Sequence, residues 1–284
     1  MPGVETQLDY VIVLVRKSAN NMVHLLQGGI YLPAEYNHLK GHICLVTGSS
    51  RGIGAQIART VAAAGARTVI NYHSSQQQAI QLLGELTEQG YQVMAIQADV
   101  SQSREVEAMF AQIETEWGSI DLLVNNAGIS LKGLLTETSE EEWQQVMDIN
   151  LKGAFLCCRR ALPAMVRNCC GRIINIASIW GLRGASCESA YAASKGGLIA
   201  LSRSLAAEMG PSGINVNVIA PGPVETDMLL QELDCDERTA LTEDIPLGRL
   251  ASPDDVASAC LFLLSPAASY INGQVLVLDG GWKV

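Results

Sequence analysis

Residues 43–54, I-C-L-V-T-G-S-S-R-G-I-G, indicate the fold class because they combine an apolar strand, a glycine-rich turn and the start of a helix. Glycines in such a turn allow a tight reversal, let a pyrophosphate approach the backbone, and let the helix pack closely on the strand. The spacing G-x-x-x-G-x-G differs from the usual G-x-G-x-x-G, and a turn without a ligand is the alternative. The strand before it and the helix after it favour a phosphate site. Its predicted contacts are Gly48, Ser50, Arg51, Gly52, Ile53 and Gly54.

The rest of the chain continues this alternation of short apolar runs and longer amphipathic stretches, which is typical of α/β proteins. Because the strands are almost continuously apolar, we expect a single Rossmann-type, doubly wound parallel sheet of about seven strands with helices on both faces. The segment 220–248 reads as loop-rich. Strands are predicted at 43–46, 68–72, 92–96, 120–124, 172–177, 214–219 and 274–278, and helices at 52–64, 76–89, 103–117, 140–150, 152–168, 190–209 and 253–264.

Two domain-level regions are predicted. Residues 39–284 are predicted to form one domain, and residues 1–38 an N-terminal extension of unknown role. The apolar run Y-V-I-V-L-V at 10–15 could add a strand or serve as an interface arm, and it is too short to span a bilayer. We expect a cytoplasmic protein that does not enter the membrane.

Composition and charge exclude several function classes. A net charge of -10 disfavours nucleic-acid binding, which needs a surplus of Lys and Arg. The eight cysteines show no C-x-x-C spacing and all four histidines precede residue 74, so we expect no metal site. We predict buried free thiols in a reducing compartment.

The end of the second predicted strand bears on the choice of cofactor. An acidic residue about 20 positions after the glycine turn would bind the ribose 2'-hydroxyl of NAD. Asn71 and Tyr72 stand there instead, followed by His73, and both Asn71 and Tyr72 are expected to contact the cofactor. Because a carboxylate would repel a 2'-phosphate, its absence, together with Arg51, favours NADP(H).

A possible proton donor lies at 178–195, S-I-W-G-L-R-G-A-S-C-E-S-A-Y-A-A-S-K. Tyr191 and Lys195 are four residues apart in a predicted helix and therefore share one face. A nearby ammonium lowers the pKa of a phenol and makes it a better acid toward a carbonyl oxygen. Ser178 could donate a hydrogen bond to the same oxygen. The alternative is a Tyr/Lys pair on an exposed helix with no chemistry.

These motifs, in this order, resemble the short-chain dehydrogenase/reductase family from about Leu39 to Trp282. The resemblance implies that residues 39–284 are a single NADP-binding catalytic domain in which Tyr191 is the general acid. Lys195 would lower the pKa of Tyr191 and bind the nicotinamide ribose. Ser178 would polarise the substrate carbonyl, and Asn150 would hold a water that links Lys195 to solvent. The resemblance implies a homotetramer as well. The matching segments are T-G-S-S-R-G-I-G (47–54), D-V (99–100), N-N-A-G (125–128), Asn150, Ser178, Y-A-A-S-K (191–195) and P-G-P-V-E-T (221–226). The implied cofactor contacts are Asp99 and Val100 near the adenine, Asn126, Ala127 and Gly128 near the ribose, and Pro221, Gly222, Val224 and Thr226 near the nicotinamide, with Tyr191 and Lys195.

Two groups within the family are most similar. Bacterial 3-oxoacyl-acyl-carrier-protein reductases share V-N-Y, Y-A-A-S-K and D-G-G-W, whereas elongation factor P 5-aminopentanone reductases share S-I-W-G-x-x-G-A-S-C-E and I-P-x-G-R-L-A. The ketone substrate is therefore expected on acyl carrier protein or, alternatively, on elongation factor P. A non-catalytic NADP-sensing module is a third possibility. The residues expected to contact substrate are Trp180, Cys187 and Glu188.

Charge in two regions bears on this choice. Carrier-protein reductases typically have basic residues where this chain has Asn168, Cys169, Cys170 and Ser212. The segment 225–244 is acidic, which suits a cationic aminoketone better than an acidic carrier, although a merely solvated acidic loop is equally compatible.

Overall fold

One sheet of seven parallel strands forms the centre of the computed structural model, which describes residues 38–226, 229 and 234–282. The strand order is β3-β2-β1-β4-β5-β6-β7, so the order reverses between β1 and β4, where doubly wound folds bind their ligands. The predicted fold class is confirmed. The strands are β1 (Ile43–Val46), β2 (Arg67–Tyr72), β3 (Val93–Gln97), β4 (Leu122–Asn125), β5 (Gly171–Ile176), β6 (Ile214–Pro221) and β7 (Val275–Leu278).

Helices cover both faces of this sheet. The described helices are α1 (Gly52–Ala63), α2 (Gln76–Glu88), α3 (Ser103–Glu116), α4 (Glu140–Met147), α5 (Gly153–Asn168), α6 (Trp180–Arg183), α7 (Ser189–Met209), α8 (Cys235–Asp244) and α9 (Pro253–Leu264). A π-helical turn, Asp148–Lys152, joins α4 to α5, where the sequence had indicated two ordinary helices.

Strand β1 shows why two layers of helices are needed. Ile43 and Leu45 pack into a cluster with Phe110 of α3, whereas Cys44 and Val46 pack on the other face with Ile57 of α1. Successive residues of a strand point to opposite faces, so a fully apolar strand must be covered on both sides. The face of α3 turned toward the sheet is apolar: Val106, Met109, Phe110 and Ile113 are buried, and Trp117 packs against them.

The segment 220–248, which was predicted to be loop-rich, also contains the unpredicted helix α8. None of the residues of α8 is buried, so no apolar stripe marks this helix in the sequence. Its start is fixed by a capping box: Asp234 Oδ1 accepts from the backbone N–H of Glu237 at 2.9 Å, and Glu237 Oε2 accepts from the backbone N–H of Asp234 at 3.0 Å.

The prediction of buried thiols holds for half of the cysteines. Cys44, Cys157, Cys158 and Cys260 are buried, and burial raises the pKa of the Cys158 thiol to about 12. Cys169, Cys170 and Cys235 are exposed and Cys187 is half-buried, because they lie in connecting segments or at the start of a surface helix.

Some expectations fall outside the described residues. The predicted extension 1–38 lies there except for His38, so both of its suggested roles stay predictions. Among the described residues, no helix is long and apolar enough to cross a membrane, and no group of three or more His, Cys, Asp or Glu side chains could hold a metal ion.

Candidate active site

A cavity of about 580 Å³ lies at the carboxyl ends of the strands. It extends from the turn after β1 to the segments that follow β5, β6 and β7, as expected for a parallel sheet. Of the predicted site residues, all but Asn150 and Cys187 line it. Those lining residues are Gly48, Ser50, Arg51, Gly52, Ile53, Gly54, Asn71, Tyr72, Asp99, Val100, Asn126, Ala127, Gly128, Ser178, Trp180, Glu188, Tyr191, Lys195, Pro221, Gly222, Val224 and Thr226.

The glycine turn forms a concave backbone surface at one end of the cavity. Gly48 and Gly52 have φ of 60° and 57°, a conformation that side-chain-bearing residues rarely adopt. A Cβ atom on Gly48 would lie 2.8 Å from the Cα of Ala127, so only glycine lets the two loops approach this closely. The Asn126 side-chain amide secures the contact by donating to the carbonyl oxygen of Gly48 at 3.0 Å.

The side chain of Asn71 holds this turn in place. Its Oδ1 accepts from the backbone N–H of Gly48 at 3.1 Å, and its Nδ2 donates to the carbonyl oxygen of Ala98 at 3.0 Å. The residue is 1% exposed. Asn71 nevertheless lines the cavity, and its expected contact with the cofactor stays a prediction. The polar side chains that line this end of the cavity include Arg51, His73, Ser74 and Ser75.

Tyr191, Lys195 and Ser178 come together at the other end. The Lys195 Nζ lies 5.7 Å from the centre of the Tyr191 ring and donates to the carbonyl oxygen of Ile176 at 2.8 Å. Burial lowers the pKa of Lys195 to about 8, because a desolvated ammonium is disfavoured. Ser178 Oγ accepts from the backbone N–H of Trp180 at 3.2 Å, so its hydroxyl proton can be donated to a ligand.

Asn150 lies in the π-helical turn, just behind these residues. Its Oδ1 accepts from the N–H of Ile129 at 2.8 Å, and its Nδ2 donates to the Ile129 carbonyl at 2.9 Å and to Ser194 Oγ at 3.0 Å. Ser194 Oγ in turn donates to the carbonyl oxygen of Tyr191 at 2.7 Å. The side-chain amide of Asn150 thus connects the loop after β4 to the helix that carries Tyr191, and its implied role as holder of a water stays a prediction.

Aromatic and charged side chains surround the substrate end of the cavity. Trp180 meets Trp282 edge to face, with ring centroids 5.4 Å apart, and Glu188 lies at the start of α7. Cys187 lies in the adjoining loop, outside the described lining, and its carbonyl accepts from the N–H of Gly133 at 2.7 Å. We therefore revise its expected substrate contact.

Comparison with known proteins identifies the family. A family model described as enoyl-(acyl carrier protein) reductase matches residues 48–283, which include the glycine turn, Ser178, Tyr191 and Lys195. The chain belongs to the short-chain dehydrogenase/reductase family.

Relatives in this family match over most of their length. The 3-oxoacyl-[acyl-carrier-protein] reductases of Staphylococcus aureus and Salmonella typhimurium are each 41% identical, over 84% and 85% of this chain and 96% and 97% of theirs. A gluconate 5-dehydrogenase from Burkholderia cenocepacia, solved in complex with NADP and tartrate, is 34% identical with a TM-score of 0.82, covering 88% of this chain and 98% of its own. A putative gluconate dehydrogenase from Agrobacterium tumefaciens is also 34% identical, with a TM-score of 0.84 over 88% and 99%.

Several lining residues of this short-chain dehydrogenase/reductase were missed from the sequence. Ser74 and Ser75 directly follow β2, so their place after a strand end was a usable signal. Trp282 follows β7 in the D-G-G-W segment, where the two glycines indicated a turn. Leu241 and Lys132 carried no comparable signal.

Proposed function

We propose that this protein is an NADPH-dependent reductase that converts a 3-oxoacyl group, carried on acyl carrier protein, to the secondary alcohol. The observation that carries the proposal is the meeting of Ser178, Tyr191 and Lys195 in the same cavity as the glycine turn. The names of the 41% identical relatives support the substrate class.

The fit of the cavity to NADP(H) rests on the turn and on its charges. A Cβ atom on Gly48 or Gly54 would collide with neighbouring backbone or amide atoms, so both positions require glycine. Because these positions carry no side chain, a pyrophosphate can approach the backbone of the turn. Arg51 is exposed at the start of α1, where it can pair with a 2'-phosphate.

The remaining cofactor contacts follow the length of the cavity. We propose that Asp99 and Val100 contact the adenine, and that Asn126, Ala127 and Gly128 line a ribose. Pro221, Gly222, Val224 and Thr226 would flank the nicotinamide. When bound, NADPH supplies the hydride that reduces the carbonyl carbon.

The chain's own residues would supply the proton and orient the carbonyl. The Tyr191 hydroxyl gives its proton to the carbonyl oxygen, and the Ser178 hydroxyl donates a hydrogen bond to the same oxygen. Protonated Lys195, close to the Tyr191 ring, stabilises the phenolate that remains. Asn150 and Ser194 position the helix without contacting the ketone. An NADP-sensing module would have no use for the acid.

Replacement of Tyr191 tests this proposal. We expect wild-type protein to oxidise NADPH, followed by absorbance, when acetoacetyl thioester is added, and Tyr191→Phe to lower kcat/KM by about 10²–10⁴-fold. The dissociation constant for NADPH should stay unchanged. Tyr270→Phe is the matched control, because Tyr270 is fully exposed. Full activity in Tyr191→Phe would reject the mechanism, and NADPH binding without turnover of any ketone in wild type would favour the sensing module.

Reduction of a 5-aminopentanone group on elongation factor P is the second candidate, favoured by negative charge near the substrate end. Glu188 lines the cavity beside Trp180. Helix α8 lines it through Leu241 and carries exposed carboxylates at Asp236, Glu237 and Glu243. A carboxylate and aromatic rings suit a protonated amine, whereas like charge disfavours an acidic carrier.

The two candidates differ in their dependence on Glu188. We expect Glu188→Gln to lower kcat/KM for an aminoketone by about tenfold, as for a lost ion pair to substrate, and to leave acetoacetyl thioester reduction unchanged. Glu208→Gln is the control, because Glu208 is exposed on the same helix. A wild-type kcat/KM far higher for acetoacetyl thioester than for ketone-modified elongation factor P would reject the second candidate.

The uncharged residues Cys169, Cys170 and Ser212, which stand where carrier-protein reductases typically have basic residues, do not affect how a substrate approaches this cavity. Cys169 and Cys170 precede β5 and Ser212 precedes β6, so all three lie at the amino ends of their strands. The cavity lies at the carboxyl ends. Their lack of charge is therefore no argument against a carrier-bound substrate entering the cavity of the same chain.

We propose a homotetramer, as the family resemblance implies, and a cytoplasmic location. Exposed Phe155 of α5 and Phe262 of α9 offer apolar surface that a partner subunit would cover. Sedimentation velocity tests the assembly, and a monomer at micromolar concentration would contradict it.

A further inference from the structure

The turn after β7 directs one aromatic side chain into the substrate end of the cavity. Asp279 Oδ1 accepts from the backbone N–H of Gly281 at 3.0 Å, and the Asp279 carbonyl accepts from that of Trp282 at 3.1 Å. Gly280 and Gly281 have φ of 63° and 84°, which glycine adopts without strain. The tight turn places Trp282 in the cavity lining.

This turn is held by contacts on two sides. The backbone N–H of Gly222 donates to the carbonyl of Leu278 at 2.8 Å, which joins the turn to the loop after β6. A Cβ on Gly280 would lie 2.8 Å from Ile245 Cγ2, and the N–H of Leu247 donates to the Gly280 carbonyl at 3.3 Å. The backbone turn that carries Trp282 is therefore attached to neighbouring segments on two sides.

Trp282 lies close to the place where the carbonyl would bind. Its ring packs against Trp180, whose backbone N–H donates to Ser178 Oγ, the group proposed to bind the ketone oxygen. A ring contact and a hydrogen bond thus link Trp282, through Trp180, to Ser178. Trp180, Ser178 and Trp282 line the same cavity, so a group attached to the carbonyl carbon would lie in the cavity that the indole lines.

Apolar and charged side chains line the cavity together with Trp282. Leu241 of α8 lines the cavity and lies one turn before Ile245, the residue that packs on the Gly280 turn. Lys132, which follows β4, and Glu188, which directly precedes α7, also line the cavity. An apolar substituent of the ketone would bind on the tryptophan side, because burial there removes apolar surface from water.

We propose that Trp282 is a specificity-determining residue that limits the length of the acyl chain, so that the enzyme acts on short-chain 3-oxoacyl thioesters. The inference rests on the proposed function. The indole closes the apolar side of the substrate end, supported by Trp180 and by the rigid turn, and a longer chain would have to displace it. Such displacement is opposed by the packing of Gly280 and Gly281 on Ile245 and Pro246.

A chain-length series tests the role of Trp282. The substrates are 3-oxoacyl coenzyme A thioesters of four, eight and twelve carbons, assayed with NADPH against wild type, Trp282→Ala and Tyr270→Ala. We expect wild type to favour the four-carbon substrate. In Trp282→Ala, the kcat/KM ratio of the twelve-carbon to the four-carbon substrate should rise by about tenfold or more, since steric exclusion from an apolar pocket is of this size.

The controls separate this inference from the proposed function. Tyr270→Ala, which removes a fully exposed ring, should keep the wild-type profile. If Trp282→Ala does not fold, as judged by circular dichroism, Trp282→Leu replaces it, and a smaller rise is expected. An unchanged chain-length profile in a folded variant would reject the inference alone. Failure of wild type to reduce any of these thioesters would reject the proposed function and the inference with it.

Discussion

Replacing Lys195 by methionine tests the electrostatic cost of the buried ammonium. Lys195 is 4% exposed, and burial lowers its pKa from the ordinary value of 10.5 to about 8. At about 1.4 kcal/mol per pKa unit, the charged form costs the folded protein about 3 kcal/mol. Methionine keeps most of the packing but leaves the Ile176 carbonyl without its donor, which costs about 1–2 kcal/mol. We expect Lys195→Met to be more stable than wild type by about 1–2 kcal/mol at pH 7, although inactive.

The pH dependence isolates the charge from the packing. The folded pKa lies below the unfolded one, so between about pH 8 and 10.5 the unfolded chain binds more protons than the folded one. Wild-type stability should therefore rise by about 3 kcal/mol relative to Lys195→Met over this window, and the difference should be constant below it. The lost hydrogen bond does not affect this slope.

Urea unfolding of the cofactor-free protein measures the effect. Wild type, Lys195→Met and the control Lys40→Met, which replaces an exposed lysine, are compared from pH 7 to 10 at one protein concentration. Lys40→Met should follow wild type throughout. A wild-type minus Lys195→Met difference that stays constant between pH 7 and 10 would refute the argument that Lys195 is desolvated.

Three further substitutions examine the remaining parts of the site. Ser178→Ala should lower kcat by about 10²–10³-fold with little change in the dissociation constant for NADPH, because it removes one donor to the carbonyl oxygen; an unchanged kcat would contradict this role. Asn71→Ala should destabilise the protein by about 2–4 kcal/mol in urea unfolding and weaken NADPH binding, since buried groups of Gly48 and Ala98 lose their partners. Arg51→Gln should reduce the NADPH over NADH preference in kcat/KM by about tenfold or more, and an unaltered preference would remove Arg51 from the 2'-phosphate site.

The sheet was predictable because apolar strands carry a strong local signal. The I-C-L-V run is buried at all four positions, and its strand boundaries match the sequence expectation. The helix Cys235–Asp244 was missed for the opposite reason, because an exposed polar helix shows no apolar periodicity, although Asp234 and Glu237 had the spacing of a capping box. The π-helical turn was missed as well, since a single wider turn barely changes the 3.6-residue pattern.

Within the site, residues related by local spacing were easier to predict than residues related by tertiary contacts. Tyr191 and Lys195 share a face because they are one helical turn apart, and no other part of the chain is needed to see it. Asn71 and Asn150 were correctly placed near the site, but their partners, Ala98 and Ile129, come from other segments. A side chain whose hydrogen bonds are made inside the fold positions the site, and only the structure reveals those bonds.

Tertiary contacts of this kind also explain why Trp282, Leu241 and Lys132 were not predicted to line the cavity. In a parallel sheet, segments far apart in the chain meet at the carboxyl edge, so a sequence can place a residue at that edge without naming its neighbour. Trp180 follows β5 and Trp282 follows β7, yet their rings are in contact. The proposed proton donor Tyr191 and its partner Lys195 are close in sequence, whereas the two tryptophans come from segments that are far apart in the chain. Substitutions in the D-G-G-W turn should therefore change substrate selection while leaving the proton donor intact.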